Sequence, residues 1–413
     1  AHRADIGHRL GQQTQAVVEL LANNHPGKPP AGRAPANSGM HLPNLLLNKE
    51  LQGIGNLEMI SRDAGPHQLS SGIPLTVAWY CYSMAIDNPD IAELELAELE
   101  AVVSTLGVER FHARQMYRWI YRHGLEQFDG MTDLSLPVRK QLEAALTIAT
   151  PAVKAREQSS DGTEKFLLTL ADGRTIESVF IPDTPAMTFC VSTQVGCAMR
   201  CGFCLTGQMG LVRNLSAGEI AGQVRVLARE LELQDRRFNI VLMGMGEPLH
   251  NYNATMKALR MLAAPEGLAL TPRRVTLSTI GILPALERLG REPWLPNLAI
   301  SLHATTDRVR HQLVPTSRTQ RLVDLVAACR RFPVKHRDRI TFEYVLLAGV
   351  NDADADATRL ARLLRGLRAK GNLIPLNEAP GIPFSRPSDG RVDRFAHSLA
   401  SAGLRVSVRT SRG

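Results

Sequence analysis

The sequence predicts an α/β protein, a partial (βα)6 barrel with a small helical module on its amino-terminal side. Two patterns predict this fold. Strand-like and helix-like segments alternate six times between residues 187 and 413, which is typical of a parallel sheet. Before them, residues 90 to 150 show apolar side chains at helical spacing. The 413 residues, 44% of them hydrophobic, suffice for two or three domains with a large core.

The charge balance favours a polyanionic partner. The chain carries 48 Lys and Arg against 40 Asp and Glu, a formal net charge of +8. Phosphates of nucleic acids attract such proteins, although a solvated basic surface accounts for the excess equally well.

No apolar stretch reaches the roughly 20 residues that a membrane helix needs. The first residues also lack the apolar core of a secretory signal, so we expect no membrane contact and a cytoplasmic location.

The first 83 residues show no sustained helical or strand period and include the stretch HPGKPPAGRAPANSG. We expect residues 1–83 to be poorly ordered, or to be a mis-called upstream extension with the true start at Met84.

Residues 84–150 are predicted to form a helical, RNA-binding accessory module. One helix carries a basic face, with two tyrosines close to it and an apolar pair behind it. The basic residues are Arg114, Arg118 and Arg122, the tyrosines are Tyr117 and Tyr121, and the apolar pair is Trp119 and Ile120. RNA contact and a solvated face over a core stripe both fit this pattern.

Residues 151–186 are predicted to form a β-hairpin linker, because KFLLTLADGRTIESVFIP places an Asp-Gly turn between two apolar runs. The barrel is expected over residues 187–413. Its strands are predicted in MTFCVST, FNIVLMG, RRVTLSTIG, NLAISLHA, RITFEYVLL and GNLIPLN. Its helices are predicted in SAGEIAGQVRVLARELE and near residues 253–263, 319–331, 353–369 and 391–402. Ser216 and Glu219 have the spacing of a capping box, which fixes the start of the first of these helices.

Three of the six cysteines, Cys197, Cys201 and Cys204, lie within eight residues after the first barrel strand. A disulfide framework would spread cysteines along a small secreted chain, whereas this clustering indicates a metal or cluster site. Three thiolates can hold three corners of an iron–sulfur cubane and leave one iron open. A structural zinc ion would need a fourth ligand nearby, and the loop contains none. We therefore favour a cluster over zinc.

From this motif onward the chain resembles the RlmN and Cfr group of radical S-adenosylmethionine RNA methyltransferases. The resemblance rests on CVSTQVGCAMRCGFCLTGQMGLVRNL, MGMGEPL, RRVTLSTIG, AISLHA, FEYVLLAGVND and IPLN, and it covers about residues 90 to 413. It implies a radical SAM barrel in which Cys197, Cys201 and Cys204 bind a [4Fe-4S] cluster. S-adenosylmethionine would bind the remaining iron.

The resemblance also implies which residues contact S-adenosylmethionine. These are Gly246, Glu247, Ser278, Ser301, Leu302, His303 and Asn377. From the residues alone, the glycines of MGMGEP fit an ordinary tight turn, and a lone histidine is more often a satisfied interior residue.

Two further residues have implied catalytic roles. Cys190 would resolve a covalent protein–RNA intermediate through a transient disulfide with a second cysteine, and Glu177 would be the proton acceptor. Their sequence contexts alone favour a buried strand cysteine and an exposed strand glutamate.

That second cysteine is expected just beyond a VRxxRG-like segment, where this sequence has VRTSRG and ends at Gly413. Cys81 and Cys329 are interpreted as structural and as no substitute for it. We expect either that the chain is truncated or that the protein cannot perform the family's reaction.

The implied activity is methylation of C2 of adenosine in 23S rRNA and in tRNA, with two S-adenosylmethionine molecules per turnover and a methyl-cysteine intermediate. Implied partners are these RNAs and an electron donor such as flavodoxin, and we expect a monomer. The alternatives are methylation of C8, a catalytically inactive RNA-binding relative, and a zinc-bound RNA-binding protein. Two arginine-rich segments, residues 330–339 and 359–368, would offer a basic surface.

Overall fold

The computed structural model describes residues 88–182 and 186–409. The predictions for residues 1–83, for a start at Met84, for Cys81 and for any segment after Gly413 lie outside these residues. Within the described ranges, no helix is both long enough and apolar enough to cross a membrane.

The amino-terminal part of the described chain is helical, as its apolar spacing predicts. Its helices are α1 (Leu96–Thr105), α2 (Phe111–Tyr117) and α3 (Leu136–Ala145), with a π-helix at Arg118–Arg122 that continues α2. Helix α1 begins at a capping box in which the side chains of Glu95 and Glu98 accept hydrogen bonds from each other's backbone N–H groups.

The two tyrosines of this part are buried and hydrogen-bonded to the backbone of neighbouring segments. Tyr117 and Tyr121 are buried and stack with their ring centroids 4.4 Å apart. The hydroxyl of Tyr117 donates to the carbonyl of Met261, and that of Tyr121 donates to the carbonyl of Ala92. A buried hydroxyl needs such an acceptor. The two tyrosines therefore belong to the core, and the basic face predicted for this helix consists of the exposed Arg114, Arg118 and Arg122 without them.

Ten strands form one sheet in which each strand lies next to the one before it in sequence, while β5 and β6 pair with each other outside it. The strands are β1 (Ala152–Gln158), β2 (Glu164–Thr169), β3 (Thr175–Ile181), β4 (Thr188–Cys190), β5 (Gln194–Gly196), β6 (Leu211–Asn214), β7 (Asn239–Leu242), β8 (Val275–Thr279), β9 (Asn297–Ser301), β10 (Ile340–Leu346), β11 (Ala369–Pro375) and β12 (Arg405–Val408). From β4 to β12 the pairing is parallel, which confirms the predicted fold class. All six predicted barrel strands are present, and β12 adds one more.

The predicted hairpin is formed by β2 and β3, which pair antiparallel on either side of the Asp-Gly turn. Gly173 in this turn has a φ of 78°, a conformation that favours glycine. Strand β3 also pairs with β4, so the hairpin continues the main sheet.

Helices follow most of the parallel strands. They are α4 (Leu205–Met209), α5 (Ala217–Glu230), α6 (Tyr252–Ala263), α7 (Leu283–Leu289), α8 (Asp307–Leu313), α9 (Leu322–Arg331), α10 (Asp354–Leu364) and α11 (Asp389–Ser401). Helix α5 begins at the predicted capping box, in which the Ser216 hydroxyl accepts from the N–H of Glu219 at 3.1 Å. Helix α10 is shorter than predicted, because Gly366 turns the chain at a φ of 76° and β11 follows.

The inner face of the sheet surrounds a polar cavity of about 650 Å³. Ile181 of β3 and Ser407 of β12 both line it, although six strands separate β3 from β12 in the sheet. The sheet therefore curls into an open barrel, with its apolar outer face covered by helices such as α5.

Candidate active site

The three clustered cysteines lie in the connection between β5 and β6. Cys197 directly follows β5, and Cys204 is the residue before α4. The prediction put this loop directly after the first barrel strand, whereas the structure inserts the short pair β5–β6 between that strand and α5. Within the loop, the N–H of Cys197 donates to the carbonyl of Gly210 at 2.9 Å, and that of Cys204 donates to the carbonyl of Cys201 at 3.1 Å.

Glycines allow this loop to be compact. Gly196 has a φ of 76°, and a Cβ on it would lie 1.9 Å from the carbonyl oxygen of Gly210. Gly207 packs against the backbone of Cys201, where a Cβ would lie 2.8 Å from the nitrogen. Side chains at either position would push the cysteines out of place.

The loop covers the carboxyl ends of the parallel strands. Cys197 and Met199 pack in an apolar cluster with residues that follow four successive strands, β8 to β11. These residues are Ile280, Ala304, Leu347 and Leu376. The N–H of Gly202 also donates to the carbonyl of Leu313, at the end of α8. Active-site groups of open α/β sheets lie at this edge.

The three thiols are free and lie within electrostatic range of one another. Burial raises the pKa of Cys197 to about 11, and it also raises the pKa of Cys201, with further contributions from the neighbouring thiols and Glu247. Such thiols lose their protons when they bind metal.

Among residues 88–182 and 186–409, no three His, Cys, Asp or Glu side chains converge on one point as ligands of a single ion. A cubane is bound through three separate irons, so its three cysteines need no such convergence. The donor set, three thiols in one glycine-shaped loop, fits a cluster.

Arg310 is a buried cation beside these cysteines that the sequence analysis missed. Its guanidinium donates to the carbonyls of Ser301 and Leu302, and also to that of Ile280 at 2.6 Å. It therefore ties the end of β9 to the end of β8. Its charge lowers the pKa of Cys201 against the larger effect of burial.

Glu247 lies in the loop after β7 and joins it to the loop after β8. Its carboxylate accepts from the N–H of Leu249 at 3.0 Å and from the N–H of Ile280 at 2.9 Å. Burial raises the pKa of Glu247, and these hydrogen bonds oppose that rise. The carboxylate is also close enough to Cys197 and Cys201 to raise their pKa values.

The glycines of the same loop are required by close packing. A Cβ on Gly246 would lie 2.7 Å from Gln194, and one on Gly244 would lie 2.7 Å from the hydroxyl of Ser192. Both glycines therefore let the loop approach the segment between β4 and the cysteines. Gly246 also has a φ of 109°.

Ser278, Ser301, Leu302 and His303 lie at neighbouring strand ends, as the sequence analysis expects. Their hydroxyls, Ser278 Oγ and Ser301 Oγ, are 3.4 Å apart. The backbone N–H groups of Leu302 and His303 both donate to the carbonyl of Glu343, and Leu302 is fully buried. Asn377 is exposed and follows β11 by two residues.

His303 contacts the cysteine loop. Its ring lies edge-on to Phe203, between Cys201 and Cys204, with a centroid separation of 4.7 Å. The backbone N–H of Val345 donates to Nδ1 at 3.1 Å. Burial, with a smaller contribution from Arg310, lowers the pKa of His303 to about 3. The ring is therefore neutral, with its proton on Nε2.

Cys190 ends β4 and lines the polar cavity. Burial raises its pKa to about 11, while the charge of Arg409 favours the thiolate. Cys329, in contrast, is 2% exposed and sits in the buried face of α9, in line with its structural interpretation.

Glu177 lies on β3, two residues from Val179, the register partner of Cys190. Alternation along the strand puts its side chain on the same face as Ile181, which lines the cavity. The Glu177 carboxylate is exposed and forms an ion pair with Lys165 at 3.5 Å. The Ser192 hydroxyl donates to the backbone carbonyl of Glu177. Glu177 and Cys190 therefore lie on paired strands of the sheet.

Two buried amides, neither of them predicted from the sequence, also hold these loops. Gln223 of α5 accepts from the N–H of Ser192 and donates to its carbonyl. Asn351 donates to the carbonyls of His303 and Val345. Gln223 lies in no recognisable motif, and Asn351 lies within FEYVLLAGVND, where the sequence alone does not show that its amide reaches His303, 48 residues away.

Comparisons with known proteins cover most of the described chain. The family model described as "Radical SAM superfamily" matches residues 191–361, and the one described as "Ribosomal RNA large subunit methyltransferase N-terminal domain" matches residues 89–148. The chain is 48% identical over 323 residues to the "Dual-specificity RNA methyltransferase RlmN" of Syntrophobacter fumaroxidans, covering 78% of this chain and 94% of that protein. It is 47% identical over 324 residues to the protein of the same name from Geobacter sulfurreducens, covering 78% and 89%.

A solved structure is similar over the same extent. The crystal structure of a radical SAM methyltransferase from Sphaerobacter thermophilus matches with a TM-score of 0.75 and 47% sequence identity. The match covers 78% of this chain and 96% of that one.

Proposed function

Because the chain belongs to the RlmN family of radical SAM RNA methyltransferases, we propose that it methylates C2 of adenosine in 23S rRNA and in tRNA. The observation that carries this proposal is the placement of the cysteine loop. It lies at the carboxyl edge of the parallel sheet, and the cavity inside the sheet exposes a further cysteine, Cys190. A cofactor bound at this edge and a base held beside Cys190 would meet inside the curled sheet.

Cys197, Cys201 and Cys204 are the residues that would hold the [4Fe-4S] cluster. When bound, the cluster supplies the electron that cleaves S-adenosylmethionine. The carboxyl-edge loops would bind this cofactor through Gly246, Ser278, Ser301, His303 and Asn377. In this arrangement Glu247 and Leu302 act mainly through the backbone that they position.

Neutral His303 suits this role, since Nε2 carries a proton and Nδ1 is already occupied by Val345. The ring can therefore donate one hydrogen bond toward a ligand without adding charge.

Cys190 and Glu177 would handle the reacting base. A thiol with a pKa near 11 is protonated at neutral pH, so Cys190 needs a cation such as Arg409 or a nearby base to react as a thiolate. Glu177, on the neighbouring strand and open to solvent, is placed to accept a proton and release it to water.

RNA would approach the barrel from the amino ends of its strands. Arg273 and Arg274 line the cavity that contains Cys190, and with Arg236 and Arg237 they line an adjoining surface pocket of about 400 Å³. None of these four arginines forms an ion pair with another described residue. The guanidinium of Arg274 also donates to the carbonyl of Phe238 and to Oδ1 of Asn239. Cations without an acidic partner at a cavity mouth favour phosphate contact, with the target nucleotide turned out of its stack into the cavity.

The arginine-rich segments from the sequence analysis contribute less to this surface. Arg331 pairs with Glu287, Arg359 pairs with Asp356, and Arg330 donates to the carbonyl of Arg365. Their charges are thus partly used inside the fold.

The proposal further includes a cytoplasmic, monomeric protein that receives electrons from a donor such as flavodoxin.

The proposal is tested by expressing the full-length gene in a bacterial host that lacks its own enzyme of this type. Nucleosides of 23S rRNA and tRNA are then analysed by mass spectrometry. We expect 2-methyladenosine in both RNAs, and none with a Cys201→Ala variant. Formation of 8-methyladenosine alone would establish the other regiochemistry, and unmodified RNA would show an inactive relative.

A further inference from the structure

A buried carboxylate faces Cys190's cavity and has no role in the proposed reaction so far. Glu343 lies in the middle of β10, is 5% exposed, and lines the cavity. Such a group is costly to bury unless it is hydrogen-bonded or neutral.

The hydrogen-bonding capacity of the Glu343 carboxyl group is used only in part. The side-chain N–H of Asn372 donates to one carboxylate oxygen of Glu343 at 2.9 Å. The side-chain oxygen of Asn372 accepts from the Ser407 hydroxyl at 3.0 Å. Among the described residues, Asn372 is the one side chain that donates to this carboxyl group. Arg409 and Lys370 act on it only at longer range.

Two consequences follow. The Asn372 amide has a fixed orientation, so it holds the Glu343 carboxyl group in one position on the cavity wall. The carboxyl group also retains hydrogen-bonding capacity toward the cavity, because one neutral acid offers both a donor and an acceptor. Burial raises the pKa of Glu343, which favours this neutral form.

Adenine presents a matching pair of groups on its Watson–Crick edge, the N6 amino group as donor and N1 as acceptor. Enzymes that act on an extruded base read this edge by hydrogen bonds. We infer that Glu343, held in place by Asn372, is a specificity residue that pairs with N6 and N1 of the target adenine. This inference rests on the proposed function and adds the group that selects the base.

Glu343 and Cys190 line the same cavity, so both can contact one bound base. Arg409 influences both Cys190 and Glu343 electrostatically, so the two groups share one region of the cavity. A base held by Glu343 would thus lie within the space that Cys190 also reaches.

The test compares two RNA substrates that differ only at the target nucleotide, which is adenosine or purine riboside. Purine riboside lacks the N6 amino group. For the wild-type protein we expect kcat/KM to favour adenosine by about 10-fold or more, as for a buried group left unpaired. In Glu343→Met this ratio should fall by about 10-fold or more relative to wild type. Glu343→Gln should keep the wild-type ratio, because the glutamine amide offers the same donor and acceptor.

Controls separate specificity from folding. Thr341→Val, on the same face of β10, should leave the ratio unchanged. Each variant is also checked for 5′-deoxyadenosine formation without RNA and for its melting temperature. Comparing ratios cancels the intrinsic difference in reactivity between the two bases.

Three results would overturn the inference that Glu343 selects the base, or part of it. An unchanged ratio in Glu343→Met would overturn the inference, and loss of the ratio in Glu343→Gln would overturn pairing through a neutral carboxyl group. If Glu343→Met does not fold, binding of the two RNAs to the wild-type protein still decides, since equal affinity and equal kcat/KM would refute it. Absence of any methylated product from wild-type protein would instead refute the proposed function.

Discussion

The ring of His303 accepts a hydrogen bond at Nδ1 from the backbone N–H of Val345, across 3.1 Å. This bond joins the second residue after β9 to the neighbouring strand β10 and requires an unprotonated Nδ1. His303 also has a φ of 55°, so the local backbone is set to bring the ring to this position.

A pH dependence of stability follows from this bond. The pKa of His303 is about 3 in the folded protein, below the 6.5 of an unperturbed histidine. The unfolded chain therefore binds one more proton between these values, and stability falls as pH decreases through this window, by about 1.4 kcal/mol per pH unit. Urea unfolding from pH 6 to 4 should show a shallower slope for His303→Gln than for wild type. Equal slopes would contradict the buried neutral ring.

Removing the buried cation should disturb the strand ends beneath the cysteines. In Arg310→Met, the carbonyls of Ser301, Leu302 and Ile280 lose their donor. We expect a loss of about 3 kcal/mol or more in unfolding free energy, together with reduced iron after reconstitution. Arg308→Met, an exposed residue of the same helix, is the control and should behave as wild type. Equal stability of the two variants would refute this role.

The cysteines should divide into two classes by iron content. Alanine at Cys197, Cys201 or Cys204 should abolish most of the bound iron and the broad absorption near 400 nm that is roughly expected for such clusters. Alanine at Cys190 or Cys329 should leave both unchanged. Zinc without iron in the reconstituted wild-type protein would overturn the cluster assignment.

Gly196 should tolerate no side chain. Its Cβ would lie 1.9 Å from the Gly210 carbonyl oxygen, so Gly196→Ala must distort the loop as well as strain the backbone. Gly173→Ala separates these effects, because Gly173 has a similar φ and nothing within 4 Å of its Cβ position. We expect Gly173→Ala to cost about 1 kcal/mol with normal iron content. Gly196→Ala should cost more and lower the iron content, and matching values would contradict the proposed clash.

The arginines at the cavity mouth should govern the salt dependence of RNA binding. Replacing Arg236, Arg237 and Arg273 with alanine should weaken binding to RNA. The slope of log K against log salt should fall by about 0.7 to 0.9 for each phosphate that the protein no longer neutralises. Formation of 5′-deoxyadenosine without RNA should not change. Arg394→Ala, an exposed arginine on α11, should keep the wild-type slope, and an unchanged slope in the triple variant would exclude this edge as the RNA surface.

Local signals in the sequence located the parts of the fold that depend on neighbours in the chain. The capping box at Ser216 and the Asp-Gly turn at Gly173 are examples, since their hydrogen bonds and dihedral angles involve a few adjacent residues. The cysteine spacing indicates a cluster site for the same reason. The pair β5–β6 escaped prediction because strands this short carry no clear alternation.

The buried polar residues required the tertiary structure. Arg310 reaches a carbonyl 30 residues away, and Tyr117 reaches one 144 residues away, so no local pattern marks either residue. Glu343 lies within a run of apolar residues, FEYVLL, and only the curl of the sheet reveals that it faces a cavity.

The order of the sheet bears on how the protein is made. Each strand of the main sheet pairs with the one preceding it in the chain, so every strand–helix unit can dock on a neighbour that has already left the ribosome. The cysteine loop belongs to an early unit, whereas β12 and Arg409 complete the cavity wall last. We expect a nascent chain stalled before β12 to leave the thiol of Cys190 open to alkylating reagents, because one wall of its cavity is still missing. Equal thiol protection in the stalled and released chains would argue against this order of assembly.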